Sequence, residues 1–308
     1  MRAVVFPGQG AQRRGVGSEH FARYPELVAT ADELLGYSVQ RLCIEDPERQ
    51  LNRTLYTQPA MFVVNAMHWL DARARGCSPA MFAGHSLGEY NALWAAGAFD
   101  FETGLRLVQR RAELMDRAAD GGMAAVLGIP AEAVARVLQA SDAQAVDIAN
   151  LNGPTQIVIS GPQAEIMRLK PIFEAQPIRA YAILNVSAAF HSRAMLPAQR
   201  EFTSFLAGFE LGPLTTPVIA NFSARPYGAD NIAELLGQQI AGPVRWVESV
   251  AHMIEQGVSE FIECGPGDVL TKMIRQIRAE RPELAAASQA PVPDVRPTPA
   301  PPEPAPML

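Results

Sequence analysis

The stretch Gly84-His85-Ser86-Leu87-Gly88-Glu89-Tyr90 constrains this chain more than any other. It is a Gly-x-Ser-x-Gly motif between a short apolar run, Ala80–Ala83, and an Ala-rich run from Leu87 to Ala96. The pattern predicts a strand, a sharp turn and a helix. A serine on such a turn exposes its hydroxyl, with the first N–H groups of the helix beside it. Glycines flank it because a side chain in so tight a turn would strike neighbouring backbone. A nucleophile and half of an oxyanion hole are thus built together, which bounds the chemistry to acyl transfer, to water or to another acceptor. Gly-x-Ser-x-Gly also arises in ordinary turns. The strand before and the helix after separate the two cases.

Apolar strands alternate with amphipathic stretches, the pattern of an α/β fold with a parallel sheet. Arg2–Phe6, Ala80–Gly84, Val218–Asn221 and Glu260–Glu263 read as strands. Pro25–Leu35, Gln58–Arg75, Leu87–Ala96 and Val247–Gln256 read as helices. Gly122–Phe190 differs in character. It reads as strand Met123–Gly128, helix Pro130–Leu138, strands Val146–Asn150 and Gln156–Ser160, helix Gln163–Lys170 and strand Ala180–Leu184. That order is ferredoxin-like. The expected fold is a hydrolase-like parallel-sheet core (1–121 and 191–284) carrying an inserted ferredoxin-like subdomain (122–190). Prolines crowd 285–308, which reads as an extended linker. A linker implies a following domain, so the chain is expected to be one part of a longer polypeptide.

A net charge of −6 argues against a nucleic-acid role. The opening apolar run, Met1–Phe6, is too short for a signal peptide or membrane span. Cys43, Cys77 and Cys264 lack metal or redox spacing and read as reduced thiols of a cytoplasmic protein.

A serine nucleophile needs a base, usually histidine. His20 and His68 sit in helical stretches with nothing site-like beside them. His252 reads as an ordinary helix residue, and His85, adjacent to Ser86, points away from its hydroxyl. His191 remains, among small residues after the run Ala182–Val186. It is either the base or a satisfied loop histidine. More than a hundred residues follow it, and no acid stands out as its partner, unlike the Ser, Asp/Glu, His order of ordinary lipases and esterases.

Phe101–Ala118 reads as an amphipathic helix capped by Asp100. One face carries Gly104, Leu107, Val108, Leu114, Met115 and Ala118, with Arg111 in its middle. A buried arginine is costly unless paired. Arg111 is either a two-pronged receptor for a substrate carboxylate or half of a structural ion pair.

With these residues in view, the chain resembles the malonyl-CoA:acyl-carrier-protein transacylase family. The resemblance runs from Met1 to about Arg281. Its motifs stand in family order: Phe6-Pro7-Gly8-Gln9-Gly10-Ala11-Gln12, Thr57-Gln58-Pro59-Ala60, the Ser86 elbow, Arg111 with Met115, Ala189-Phe190-His191-Ser192, Pro243-Val244-Arg245-Trp246 and Gly265-Pro266-Gly267-Asp268-Val269-Leu270. Gly88–Leu93, Phe99–Leu105 and Asn221–Tyr227 look like the branch that serves polyketide synthases in trans.

The resemblance implies Ser86 as the malonylated nucleophile and His191 as its base, oriented by the backbone carbonyl of Arg245. It implies an oxyanion hole from the N–H groups of Gln9 and Leu87, and a carboxylate clamp at Arg111. Gln58, Phe190, Met115 and His85 would line the substrate pocket, the Phe190 ring favouring malonyl over larger units. Two positions depart from the family pattern, Ala112 and Asp116. The expected reaction takes malonyl-CoA as donor and the phosphopantetheine thiol of an acyl carrier protein as acceptor. It needs no metal or bound cofactor, and no membrane or nucleic-acid partner. Two alternatives stay open: a hydrolase of the same fold that clears stalled acyl groups from carrier proteins, and a catalytically silent docking module.

Overall fold

The computed structural model describes residues 1–287 apart from Ala119 and Ser187. The strands among these residues are β1 (Arg2–Phe6), β2 (Met81–Gly84), β3 (Gly121–Leu127), β4 (Asp147–Gly153), β5 (Gln156–Pro162), β6 (Ala180–Ile183), β7 (Val218–Ile219) and β8 (Glu260–Glu263). They form two sheets. One is all parallel in the order β7-β2-β1-β8. The other is all antiparallel in the order β4-β5-β3-β6, as a ferredoxin-like strand–helix–strand–strand–helix–strand unit requires.

The central strands of the parallel sheet are covered on both faces, so β2 and the buried part of β1, Ala3–Phe6, are apolar. The side-chain period of two sorts them. Val4, Phe6 and Phe82 join the core under the helices Thr54–Ala74 and Phe101–Asp116. Ala3, Val5, Ala83 and Ile219 join a second core with Val250, Met253 and Ile254 of the Trp246–Glu255 helix and Leu270, Ile274 and Ile277 of the Val269–Glu280 helix. Each fully buried aliphatic or phenyl side chain contributes about 1.5–3 kcal/mol.

The small sheet works the same way. Ala124, Val126, Ile157 and Ile159 pack on its own helices through Val134, Leu138, Ile166 and Phe173. Met123, Ala125 and Val158 face the main core instead. The outer edge of β4 is closed by the large sheet's chain: Val244 donates to the Ala149 carbonyl at 2.9 Å, and Leu151 donates to the Val244 carbonyl at 2.9 Å. An edge that would otherwise expose unpaired backbone is thereby satisfied, and the insert is fixed over the ends of β1 and β2. We propose the division 1–121 with 191–284, and 122–190, although β3 of the small sheet begins one residue earlier, at Gly121.

Three differences from the sequence reading have physical reasons. The helix expected over 58–75 spans Thr54–Ala74, with Pro59 inside it. Proline favours a first turn, but here the preceding turn is held by the Thr57 hydroxyl, which donates to the Leu51 and Arg53 carbonyls at 2.6 and 3.0 Å. A helix not foreseen, Ile232–Gln238, precedes Gln239. A short helix, Pro282–Ala287, extends into the expected linker. Residues 288–308 lie outside the described residues.

Candidate active site

β2 delivers the chain to a turn in which Ser86 takes φ +50°. That left-handed conformation costs a non-glycine residue about 1–3 kcal/mol. Two side chains hold it there. The Ser86 N–H donates to Asn221 Oδ1 at 2.7 Å, and Gln239 Nε2 donates to the Ser86 carbonyl at 2.7 Å. The glycines permit the close approach. A Cβ on Gly84 would lie 1.9 Å from the Gly88 carbonyl carbon, and one on Gly88 would lie 2.1 Å from the Phe6 carbonyl oxygen. Backbone cannot give way as a side chain can. Gly88→Ala is therefore expected to destabilise the protein by about 3 kcal/mol or more, seen as a thermal midpoint roughly 10 °C lower. An unchanged midpoint would contradict this packing.

His191 is the histidine that meets the serine. Ser86 Oγ lies 2.7 Å from His191 Nε2, with the hydroxyl as donor. His191 itself has φ +56°, a second strained residue in the site. Its Nδ1 N–H donates to the Gln239 carbonyl at 2.9 Å and to the Gly242 carbonyl at 3.2 Å. This fixes the tautomer and leaves the Nε2 lone pair for the hydroxyl proton. The expectation that the Arg245 carbonyl orients His191 is corrected. That carbonyl accepts instead from the Ser249 N–H and hydroxyl, both at 2.9 Å, as part of a helix start. The Arg245 guanidinium pairs with Glu248.

Ser86 and His191 share a cavity of about 110 Å³ with Arg111, Gln58, Met115, Phe190, Gln9 and His85. The volume is well below the ~300–1,000 Å³ of pockets that enclose a whole drug-sized ligand, so it suits a small acyl group with its carrier outside. A larger cleft of about 450 Å³, bounded by Arg117, Arg193 and Glu201, holds neither Ser86 nor His191. Leu87 is buried and caps the Gly88–Ala95 helix. His85 lies with Nε2 2.7 Å from Asn152 Oδ1, its ring 5.6 Å from that of Trp246. Asp116 is absent from the cavity wall and faces Arg53 at 3.6 Å.

Arg111 is 1% exposed. Its Nη1 donates to Gln58 Oε1 at 2.6 Å, and its Nη2 to Ser86 Oγ and Gln239 Oε1, both at 3.0 Å. Its Nε is buried without a partner. Gln58 in turn donates to Met115 Sδ at 3.6 Å. No carboxylate comes within ion-pair distance of Arg111 among the described residues. The balancing acid is one side chain removed: Gln239 Nε2 donates to Glu89 Oε2 at 2.7 Å. Glu89 is fully buried, and its other oxygen accepts from the Asn221 N–H at 2.8 Å and the Tyr227 hydroxyl at 2.6 Å. Burial pushes the Glu89 carboxyl up to about 7, against those donors and the Arg111 charge. Arg111 is therefore buried, indirectly balanced and beside the nucleophile, with a fork that only neutral amides and a hydroxyl occupy.

Burial, reinforced by Arg111, holds the His191 imidazole down at about 3. The His191 imidazole is thus neutral across the working range. Sequence reasoning missed Gln239, Glu89, Asn221 and Tyr227 as a support for the turn. Glu89 carried the one readable signal, an acid three residues after the serine in an otherwise apolar helix.

The chain matches the model of the family described as acyl transferase domain over residues 3–298. The polyketide biosynthesis malonyl CoA-acyl carrier protein transacylase BaeC of Bacillus velezensis is 48% identical over 282 residues, covering 91% of this chain and 98% of BaeC. The polyketide biosynthesis protein ThaF of Burkholderia thailandensis is 52% identical over 298 residues, 94% of this chain but only 26% of that longer protein. Among solved structures, the malonyl CoA-acyl carrier protein transacylase of Burkholderia pseudomallei is 48% identical with a TM-score of 0.88, covering 91% of this chain and 98% of that one. PlMCAT in complex with AntF, a type II PKS acyl-carrier protein with its malonyl-transacylase, is 35% identical with a TM-score of 0.85, covering 90% and 92%. A parallel sheet presenting a histidine-paired serine, and these matches along nearly the whole described chain, lead to one conclusion: the protein belongs to the acyl transferase domain family, among its malonyl CoA-acyl carrier protein transacylases.

Proposed function

We propose that the protein moves a malonyl group from malonyl-CoA to the phosphopantetheine thiol of an acyl carrier protein, through an ester on Ser86, in polyketide biosynthesis. The observation that carries this is Arg111, a buried cation without a contacting carboxylate, 3.0 Å from Ser86 Oγ. Relatives named for polyketide biosynthesis and the solved complex with a carrier protein support the setting and the acceptor.

The malonyl thioester enters with its carboxylate on the Arg111 fork, displacing Gln58 as acceptor. Ser86 Oγ attacks the thioester carbon as His191 Nε2 takes the hydroxyl proton. The oxyanion is received by the N–H groups of Gln9 and Leu87, a donor pair of which each member is worth ~10²–10³ in rate. The C–S bond breaks, and the coenzyme A sulfur takes the proton from His191. In the second half the carrier thiol gives its proton to His191, its sulfur attacks the ester, and Ser86 leaves with that proton restored. Gln58, Met115 and Phe190 shape the acyl cavity, and His85, tied to Asn152, forms its wall. Arg111 disfavours the hydrolase of uncharged acyl groups, which has no use for a buried cation.

The base sets the pH response. A histidine at its ordinary ~6.5 would lose about twenty-fivefold in neutral form between pH 7 and pH 5. With His191 held at about 3 the neutral form persists, so kcat/KM should fall little over that range. An acid limb near 6.5 that survives in Glu89→Gln would contradict this. Peptide mapping after incubation with malonyl-CoA tests the covalent route. A malonyl ester on the Ser86 peptide is expected, and turnover with Ser86 unmodified would sink it.

We infer a cytoplasmic site of action. Cys43, Cys77 and Cys264 are free, and burial pushes Cys43 and Cys264 up to about 12, as in inert reduced thiols. No helix among the described residues is long and apolar enough to cross a membrane.

A further inference from the structure

We propose that Glu19, His20 and His68 form a binding site for one divalent transition-metal ion of the zinc class, which clasps the segment around residues 15–24 to the long Thr54–Ala74 helix. One ligand atom from each residue lies within 4.8 Å of the others. His20 and His68 come from distant parts of the sequence, yet their rings stand 4.2 Å apart, tilted by 59°. His20 Nε2 lies 3.5 Å from Glu19 Oε1. His68 Nε2 is buried with no hydrogen-bond partner. An unsatisfied buried nitrogen on a ring clustered with a second imidazole and a carboxylate is costly as it stands. It is resolved by an ion that accepts its lone pair.

The surroundings are those of a metal ligand set. Asp71 Oδ2 lies 2.8 Å from His20 Nδ1, off the line of a straight N–H···O bond. A carboxylate there keeps the proton on Nδ1 and frees Nε2, the usual arrangement behind a ligating histidine. Asp71 is itself 2% exposed and occupied: Arg23 Nη1 donates to it at 2.6 Å, and so does the Tyr24 hydroxyl. It orients and does not ligate. Two imidazoles and one carboxylate suit zinc, with water completing a tetrahedron. Ligand atoms in such a site stand closer than in the empty cluster, and Glu19, whose side chain is 64% exposed, is free to close the gap.

The site is separate from catalysis. His68 and Gln58 share the Thr54–Ala74 helix but lie ten residues apart, about 15 Å at 1.5 Å per residue. The cluster anchors the chain that follows Gln9, so the ion's work is structural. His68 and Asp71, at i and i+3, face the same side of that helix.

The test uses the untagged full chain, stripped with chelator and titrated with Co²⁺ as a spectroscopic stand-in. One equivalent should bind with visible d–d absorption, and Zn²⁺ should displace it. Zn²⁺ should raise the thermal midpoint of the wild type. Glu19→Ala, a change at an exposed side chain, should weaken binding by at least the ~10–100-fold that losing an outer-shell partner costs, and should leave malonyl transfer unchanged. His68→Gln should abolish the absorption. No saturable binding, or equal binding in wild type and both variants, would overturn the assignment.

Discussion

Ser86→Ala is expected to abolish the malonyl adduct and to lower transfer to the carrier protein by about 10⁴-fold or more. The size follows from what the hydroxyl does in this arrangement. Its oxygen lies 2.7 Å from His191 Nε2 and also receives Arg111 Nη2 at 3.0 Å. Alanine leaves the base without a proton to take and the acyl group without an acceptor on the protein. It does not remove the cavity or the proposed Gln9 and Leu87 donors. Residual binding of malonyl-CoA should therefore survive, and the loss should fall on kcat. The turn should survive as well, because Asn221 and Gln239 grip the backbone of residue 86 and not its side chain. A variant that still forms the adduct would move the nucleophile elsewhere. A variant that fails to fold would show that the hydroxyl, not the backbone grip, holds the turn.

Arg111→Ala should cut malonyl transfer by about 10²-fold while changing acetyl transfer far less. A charge-assisted hydrogen bond is worth about 1.5–3 kcal/mol, and a two-pronged grip on one carboxylate stands at the upper end of that range. Acetyl has no carboxylate, so it loses only the contact between Arg111 and the Ser86 hydroxyl. The specificity ratio is therefore the readout, since it cancels any general weakening of the site. Alanine also leaves the Gln58 and Gln239 carbonyl oxygens without their donor, which will cost some stability. Equal losses for malonyl and acetyl would mean that Arg111 serves the fold and the serine, not the substrate. The pH response supplies a second check of the same charge. Arg111 is, after burial, the largest cause holding His191 low. Its removal should move the acid limb of kcat/KM upward, toward the ordinary histidine value.

The parts of this account that were legible in the sequence share a property: they announce themselves by residue type at a fixed spacing. β1 ends where its apolar run ends, at Phe6, and β8 spans the residues read for it, Glu260–Glu263. The elbow needs glycines at 84 and 88 because backbone passes within 2.1 Å of where a Cβ would stand. Arg111 stood out because charge on an apolar helix face is unusual. The orientation of His191 did not stand out, and was assigned to the wrong carbonyl. Any residue supplies a carbonyl, so nothing in the letters distinguishes Arg245 from Gln239 or Gly242. The turn after Ile232–Gln238 decides it, and that turn is a product of tertiary packing. The Gln239–Glu89–Tyr227 support was hidden for a related reason. Its members lie far apart in sequence, and each has an ordinary reading alone. His20 and His68 looked isolated in sequence, yet the fold brings their rings to 4.2 Å.

The most direct measurement follows the intact mass of the protein through one cycle. Malonyl-CoA is added first, excess donor is removed, and a carrier protein bearing phosphopantetheine is then supplied. The account predicts a single malonyl adduct on the protein that is stable until the carrier arrives and then appears on the carrier. A protein that takes no malonyl group, or that loses it to water as fast as to the carrier, would contradict it.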